Sequence, residues 1–546
     1  MDIVKALDLL QDGQTLTLER DAVYSVWQGD CPLRSGYYFS NMASREENPY
    51  GEHRAALYLK GKKNVTIDGN GATLLIHGVV TPLLFDGCEG ITVKNLTIDY
   101  ARPTMSEFVV ERKEGDGYVL YIHEEFFFEV DDNRLLWIGE KGEDGAPLWS
   151  YSYKGDDVLS MYYDPKNGQM KMMKRWGENI RPSVPDFARI ERIDPTHVFV
   201  ELKNEGAFLP IGCTVQTRKI VRNEAGACFW YCKDVRLENV QIRAMHGFGL
   251  LSQYCENVTY QGVTCLPKAG RTVASNADFF HYSGCKGNIL VEGCRLAAGH
   301  DDFINVHGTH LRVMEWGQTE KRLRLRFIHP QSWGFEAFRA GDRIELIEWD
   351  TLLPYAQAEI VGVERVNDTD VSLILDREIS VKTLEKDVVE NATWTASLTV
   401  RNNEFGGTGA RGILCTTRQP ILIENNTFTN VNGGVLVVED DCNFWFESGY
   451  TRQIIFRNNR LIGCAYGFEG EGCPLIQVTP QVLSKTTNEP VHGTLILENN
   501  TIEKGNAPDV VLHFEHIARV VLKGNSFNSE YRIVQKNVGE LCEEKK

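Results

Sequence analysis

Short hydrophobic alternations recur along this chain. Val, Ile, Leu and Phe take alternate positions in NVTIDGNGATL from Asn64, GITVKNLTID from Gly90, DVRLENVQI from Asp234, NVTYQGVTC from Asn257 and NILVEGCRL from Asn288. The pattern returns in SLTVRNNEF from Ser397, PILIENNTF from Pro420, QIIFRNNRL from Gln453, GTLILENNTI from Gly493 and RVVLKGNSF from Arg519. A period of two is strand periodicity, and each segment reads as strand, Asn or Gly bend, second short strand. Neighbouring segments are offset by about 23 to 41 residues, the length of one coil of a parallel β-solenoid with variable loops. One coil cannot bury its apolar face alone, whereas stacked coils make a continuous core. Asn at a bend tolerates the left-handed conformation and can bond to its equivalent in the next coil. The pairs Asn402-Asn403, Asn425-Asn426, Asn458-Asn459 and Asn499-Asn500 fit such a ladder. Parallel crossovers are right-handed, so the pattern predicts an all-β, right-handed parallel β-helix.

Two stretches break the repeat. Residues 103–222 and 309–395 carry charge-rich alternations such as GYVLYIHEEFFFEV and DVSLILDREI, with Gly, Asp and Asn in the turns. Both read as inserted antiparallel β modules, small barrels or sandwiches. The chain therefore divides into an N-terminal cap and first coils (1–102), a β module (103–222), coils (223–308), a second β module (309–395), and C-terminal coils with a tail (396–546). IVKALDLLQDG reads as a short helix covering the first sheet edge, and GELCEEKK as a frayed tail.

Composition narrows the function. The formal charge of the 546 residues is -17, from 58 Lys plus Arg against 75 Asp plus Glu. Such a surface repels phosphate backbones and anionic lipid, so nucleic acid and membrane are not expected partners. No run of about 18 apolar residues marks a spanning helix. Fourteen cysteines form no CxxC pair and no zinc spacing. Those in the repeats (Cys255, Cys265, Cys285, Cys294, Cys415) read as small buried hydrophobes. The N-terminus shows no basic segment followed by an apolar one, which reads as cytoplasmic for the chain as given, or as secreted or periplasmic if a signal has been lost. Self-association is left open.

The chemistry concentrates in SNADFFHYSGCKGNILVEGCRLAAGHDDFINVHGTH, from Ser275 to His310. Asp278 lies 23 residues before Asp301 and 24 before Asp302, about one coil. That spacing stacks three carboxylates, with Asn276, His281, His300, Asn305 and His307 on the same surface. Like-charge proximity raises at least one carboxylate pKa. A protonated acid beside ionised carboxylates is what glycosidic cleavage needs. A calcium cluster of three carboxylates and an Asn is the competing reading, and His307 alone would be an ordinary structural histidine.

The window is similar to that of polygalacturonase-type β-helix hydrolases, through Asn276-Ala277-Asp278, Asp301-Asp302 and Asn305-Val306-His307. No Arg-x-Lys motif follows His307, so a uronate substrate is disfavoured. Glycoside hydrolase family 110, exo-acting α-1,3-galactosidases, is a closer resemblance. It covers most of the chain through TPLLFDGCEGITVKNLTIDYARP from Thr81, HDDFINVHG from His300, TGARGILCTTRQPILIENNTF from Thr408 and NFWFESGYTRQIIFRNN from Asn443. The resemblance implies an inverting hydrolase without cofactor or metal. Asp301 matches the general acid, and Asp278 with Asp302 the pair that activates water; the reversed assignment, with Asp278 as acid, stays open.

Substrate-contact candidates are Trp445 for stacking on galactose, Glu447 and Glu439 as hydroxyl acceptors, and Arg411 in GTGARG as a donor. Arg271, Asn276, Asn305 and His307 complete the set. The expected substrate is an oligosaccharide or glycoconjugate ending in α-1,3-linked galactose, blood-group-B-like or linear Galα1,3Gal. The alternatives are a β-helix glycosidase for another glycan, a calcium-dependent polysaccharide lyase, and a non-catalytic glycan-binding β-helix.

Overall fold

The alternation becomes strands whose every second side chain is buried, as in Ala396–Arg401 and, one coil later, Ile421–Glu424. The computed structural model describes residues 3–154, 157–172, 186–203, 208–467, 473–505 and 510–544. Among these, the repeat strands stack into three parallel faces that wind as a right-handed parallel β-helix. One register column runs Leu250, Phe280, Ile304, Ile413, Leu436, Ile476 and Leu512. Another runs Leu296, Phe405, Phe428, Leu461, Ile502 and Phe527. These inward columns are the core that no coil could form alone.

Each Asn-Asn pair divides two tasks. Asn402, Asn425, Asn458 and Asn499 take the left-handed bend, with φ between 52° and 59°. The second residue of each pair builds the ladder. Asn403 donates to Asn426 at 2.8 Å, Asn426 to Asn459 at 3.0 Å, Asn459 to Asn500 at 3.2 Å, and Asn500 to Asn525 at 2.9 Å. Amides that turn away from the strand ladders are thereby satisfied inside the protein.

Both interruptions are antiparallel. The first holds a seven-stranded sheet, from Ser106–Glu114 to Thr214–Lys219, and a three-stranded sheet that shares its core through Phe108, Trp137, Val198 and Val215. The second is a closed six-stranded barrel, from Leu311–Gly317 to Val388–Asn391. At the N-terminus the helix Ile3–Asp8 buries Ile3 and Leu7 against the first coils.

The C-terminus corrects one expectation. GELCEE is no frayed tail: it lies in the strand Tyr531–Glu544, paired in parallel along Val510–Lys523. Its charged residues are exposed on the terminal strand of the stack, so its composition resembles disorder while its backbone is paired. Lys545 and Lys546 lie outside the described residues.

Candidate active site

Three successive coils place a turn at one end of the same face. Phe280 pairs with Ile304, and Ile304 with Ile413, so the register sets Asp278 beside Asp302 and Asp302 beside Arg411. The barrel is inserted between the second and third of these strands. The first turn sits tightly on the coil before it: a Cβ on Gly249 would lie 1.9 Å from the Asp278 carbonyl oxygen, so only glycine fits there.

Each carboxylate has a different neighbour. The backbone N–H and Nε of Arg411 donate to Asp302 Oδ1 at 3.1 and 2.9 Å, and Arg411 Nη2 lies 2.8 Å from Oδ2. Arg222 Nη2 donates to Asp301 Oδ2 at 3.2 Å. Among the described residues no guanidinium is hydrogen-bonded to Asp278; its Oδ2 lies 2.7 Å from His281 Nδ1, and its Oδ1 accepts the Asp302 N–H at 3.4 Å. Burial and the nearby Asp301 push Asp278 up to about 8. Burial also pushes Asp302 up to about 8, against the pull of Arg411. His281 is held well below the usual imidazole range by burial and by His307.

The three aspartates each offer an oxygen within 4.8 Å of the others, a spacing a hard cation could bridge. Two of the three are already neutralised by Arg222 and Arg411, so this donor set does not suit a divalent cation.

A cavity of about 290 Å³ opens onto the cluster. Asp278, Asp301 and Arg411 line its floor. A loop from Glu439 to Glu447 forms one wall, organised by Asp441, whose carboxylate accepts the backbone N–H groups of Asn443, Phe444, Trp445 and Phe446. The loop then pairs antiparallel with the catalytic coil, Glu447 opposite Thr309. Glu447 is buried, and its ionisation is opposed by burial but favoured by His307, His281 and Arg411, which hold it below the usual range. The barrel supplies His329, whose ring lies 4.4 Å from that of half-buried Trp445.

Of the residues expected from sequence, the structure brings Asp278, Asp301, Asn305, Arg411, Glu439, Trp445 and Glu447 to the cavity. Asp302 lies behind it, fully buried. Three expected contacts are corrected. Arg271 is buried elsewhere, between Asp99 Oδ1 at 2.7 Å and Glu125 Oε2 at 2.9 Å, where it ties the first module to the helix. Asn276 is buried and donates to the Gly247 carbonyl at 3.1 Å, so it holds the turn rather than a sugar. His307 is buried beside His281, 2.9 Å away between their Nε2 atoms, behind the cavity wall.

Asn41 and Arg222 were not singled out by sequence. Both line the cavity, and Asn41 donates to Glu447 Oε1 at 2.6 Å. Neither sits in a repeat or a motif; each arrives from a distant connecting segment, and no local signal marks it.

A parallel β-helix that stacks carboxylates at the floor of a walled pocket is an arrangement suited to glycoside hydrolysis. The family profile described as GLAA-B beta-barrel domain II matches residues 322–389, within the inserted barrel. The chain is 34% identical to Alpha-1,3-galactosidase A of Bacteroides thetaiotaomicron, over 85% of this chain and 77% of that one. It is 32% identical to Alpha-1,3-galactosidase A of Bacteroides fragilis, over 92% and 80% respectively. With Alpha-1,3-galactosidase A of Akkermansia muciniphila the identity is 31%, over 90% and 78%. The chain belongs to this α-1,3-galactosidase family, glycoside hydrolase family 110. Among solved structures, an exopolygalacturonase from Thermotoga maritima aligns over 98% of this chain and 96% of that one, at 10% identity and a TM-score of 0.31, a likeness too distant to bear on the chemistry.

Proposed function

We propose that this protein removes terminal α-1,3-linked galactose from oligosaccharides or glycoconjugates, and does so with inversion. The observation that carries this reading is a small cavity closed over a stacked Asp cluster in a chain of this family. At about 290 Å³ it sits at the lower end of the ~300–1,000 Å³ range of ligand sites, which favours one terminal sugar over a threaded polymer. Asp301, half-buried and facing the cavity, is the proton donor to the glycosidic oxygen. Asp278, on the cavity floor, holds the attacking water, and Asp302, buried behind it, donates its backbone N–H to Asp278 Oδ1. Trp445 presents a ring to the apolar face of galactose, and Glu447, Glu439 and Arg411 address its hydroxyls.

A second reading has its own observation. The carboxylate oxygens lie closer together than the ~6.5–9.5 Å between acid and base in most inverting enzymes, and nearer the ~5 Å of retaining ones. In that case one Asp attacks carbon directly. Proton NMR of the first product from Galα1,3Gal separates the two: β-galactose supports inversion, α-galactose supports retention. No galactose release would overturn the substrate assignment.

A further inference from the structure

Asp278, His281 and His307 are almost completely buried, and their contacts run from Asp278 on the cavity floor back to His307 behind the wall. Asp278 Oδ2 is 2.7 Å from His281 Nδ1, His281 Nε2 is 2.9 Å from His307 Nε2, and His307 Nδ1 is 2.6 Å from the Gly308 carbonyl. The direction of this chain follows from its last member. A carbonyl only accepts, so His307 Nδ1 carries a hydrogen. Burial holds His281 neutral; in the resting form proposed here His307 is neutral too, so its Nε2 is bare and accepts from His281 Nε2–H. His281 Nδ1 is then bare as well, and its partner among the described residues is Asp278. A carboxylate cannot donate, so Asp278 carries the hydrogen of that bond.

The charge count agrees. Asp301 and Asp302 are each ion-paired to a guanidinium, whereas the paired neighbour of Asp278 among the described residues is the His281 ring. Of Asp278 and Asp302, the proton is less welcome on Asp302, beside Arg411, than on Asp278.

We infer that Asp278, His281 and His307 form a proton wire that stores one proton on Asp278 in the resting enzyme and passes it to His307 when Asp278 must act as a base. Two hydrogen shifts connect the two forms. The Asp278 hydrogen moves to His281 Nδ1, and the His281 Nε2 hydrogen moves to His307 Nε2. Nothing is gained or lost; the products are an Asp278 carboxylate, a neutral His281 and a His307 imidazolium. Glu447 Oε1 lies 3.7 Å from His307 Nε2 and is where that cation finds its counter-charge. Glu447 also lines the cavity, so a sugar bound there is coupled through His307 to the protonation of Asp278. Removing the proton altogether leaves two bare nitrogens facing each other at 2.9 Å, which is why the wire retains it. The charged and titratable groups facing the wire are Asp301, Asp302, Arg218, Arg222, Arg411 and Glu447; Phe248 packs edge-on against His281. His281 touches no substrate and is a positioning residue.

This inference rests on the hydrolase reading, and its test has one arm that needs no substrate. Nitrogen-15 NMR of the histidine-labelled full chain at pH 7 should show His281 protonated at Nε2 only and His307 at Nδ1 only. A protonated Nδ1 on His281, or an imidazolium at His307, overturns the resting assignment. The second arm is His281→Gln, which fills the space and bonds to Asp278 but cannot pass a proton. We expect kcat to fall about tenfold or more with KM little changed, and the alkaline limb of the pH profile to move to lower pH. Wild-type kcat and an unmoved limb, in a variant that melts as the wild type does, overturn the relay. If that variant does not fold, the isotope measurement on the wild type decides. If the wild type releases no galactose, the substrate assignment falls while the tautomers still judge the wire.

Discussion

Asn41 and Glu447, 406 positions apart in the chain, are joined by a side-chain hydrogen bond of 2.6 Å. The bond pins the loop that carries Trp445 to the N-terminal segment, across the mouth of the cavity. Asn41 is itself held, its backbone N–H donating to the Gln331 carbonyl of the barrel at 2.8 Å. Three remote parts of the chain therefore fix one carboxylate.

Asn41→Ala should leave Glu447 short of a donor and free to shift. A hydrogen bond to a charged group contributes about 1.5–3 kcal/mol, so kcat/KM on Galα1,3Gal should drop roughly 10- to 100-fold. The melting temperature should change little, because Glu447 keeps the Asn305 amide at 3.5 Å. An unchanged kcat/KM would remove Glu447 from sugar recognition.

Arg411→Ala leaves Asp302 buried without its guanidinium. Breaking a buried ion pair costs about 3–5 kcal/mol, so a marked loss of thermal stability should accompany loss of turnover. Arg411→Lys keeps the charge but not the fork, and should recover stability better than activity. Equal recovery of both would reduce Arg411 to a structural counter-ion.

The acids with raised pKa values set the pH response. An unfolded Asp titrates near 3.9, whereas Asp278 titrates near about 8 in the folded chain. Between those values the native state binds the extra proton, so stability falls as pH rises through the window. Burial raises Glu107, Glu224 and Asp440 to about 7, and their contributions share this sign. Scanning calorimetry should find a higher melting temperature at pH 5 than at pH 8. Asp278→Asn, whose amide can donate to His281 permanently, should raise the melting temperature at pH 8 and do little at pH 5. Activity should also decline above about pH 8, as the cluster loses its proton.

Asp301→Asn should abolish galactose release while leaving the fold intact, because Asp301 is half-buried and its neighbours are polar. Chelator should leave the wild-type rate unchanged. A chelator-sensitive rate restored by added calcium would reinstate the metal reading of the cluster.

Gly249→Ala should shift the turn that carries Asp278, since the new methyl would meet two carbonyl oxygens within 2.4 Å. The loss of kcat should exceed the loss of stability if the turn yields rather than the coil.

What the sequence disclosed follows from what local pattern can encode. The offset of 24 between Asp278 and Asp302 is the register offset of Phe280 and Ile304, so that pairing could be read directly. The Asn ladder was legible for the same reason, one residue per coil. Arg411 could be suspected from its glycine-flanked turn, but its partner could not, because 109 residues separate it from Asp302. Arg271 misled because nearness in sequence to the Asp window is not nearness in space; its side chain points away, to Asp99. Asn41, Arg222 and His329 come from connecting segments that carry no period, and only the folded coordinates bring them in.

The insertion of the barrel between Ile304–Thr309 and Ile413–Cys415 also sets a timetable for synthesis. At about 5–20 residues per second, the ribosome needs roughly 5–22 s to make the 109 residues from Ile304 to its partner Ile413. Throughout that interval the coil bearing Asp301 and Asp302 is the growing end of the helix, an unpaired edge. The barrel needs only its own strands to close, so it can fold while that edge waits. Arg411 arrives only with the following coil, and the charge on Asp302 is matched when that coil docks. The nascent chain thus carries an incomplete reaction centre until the C-terminal coils have left the tunnel.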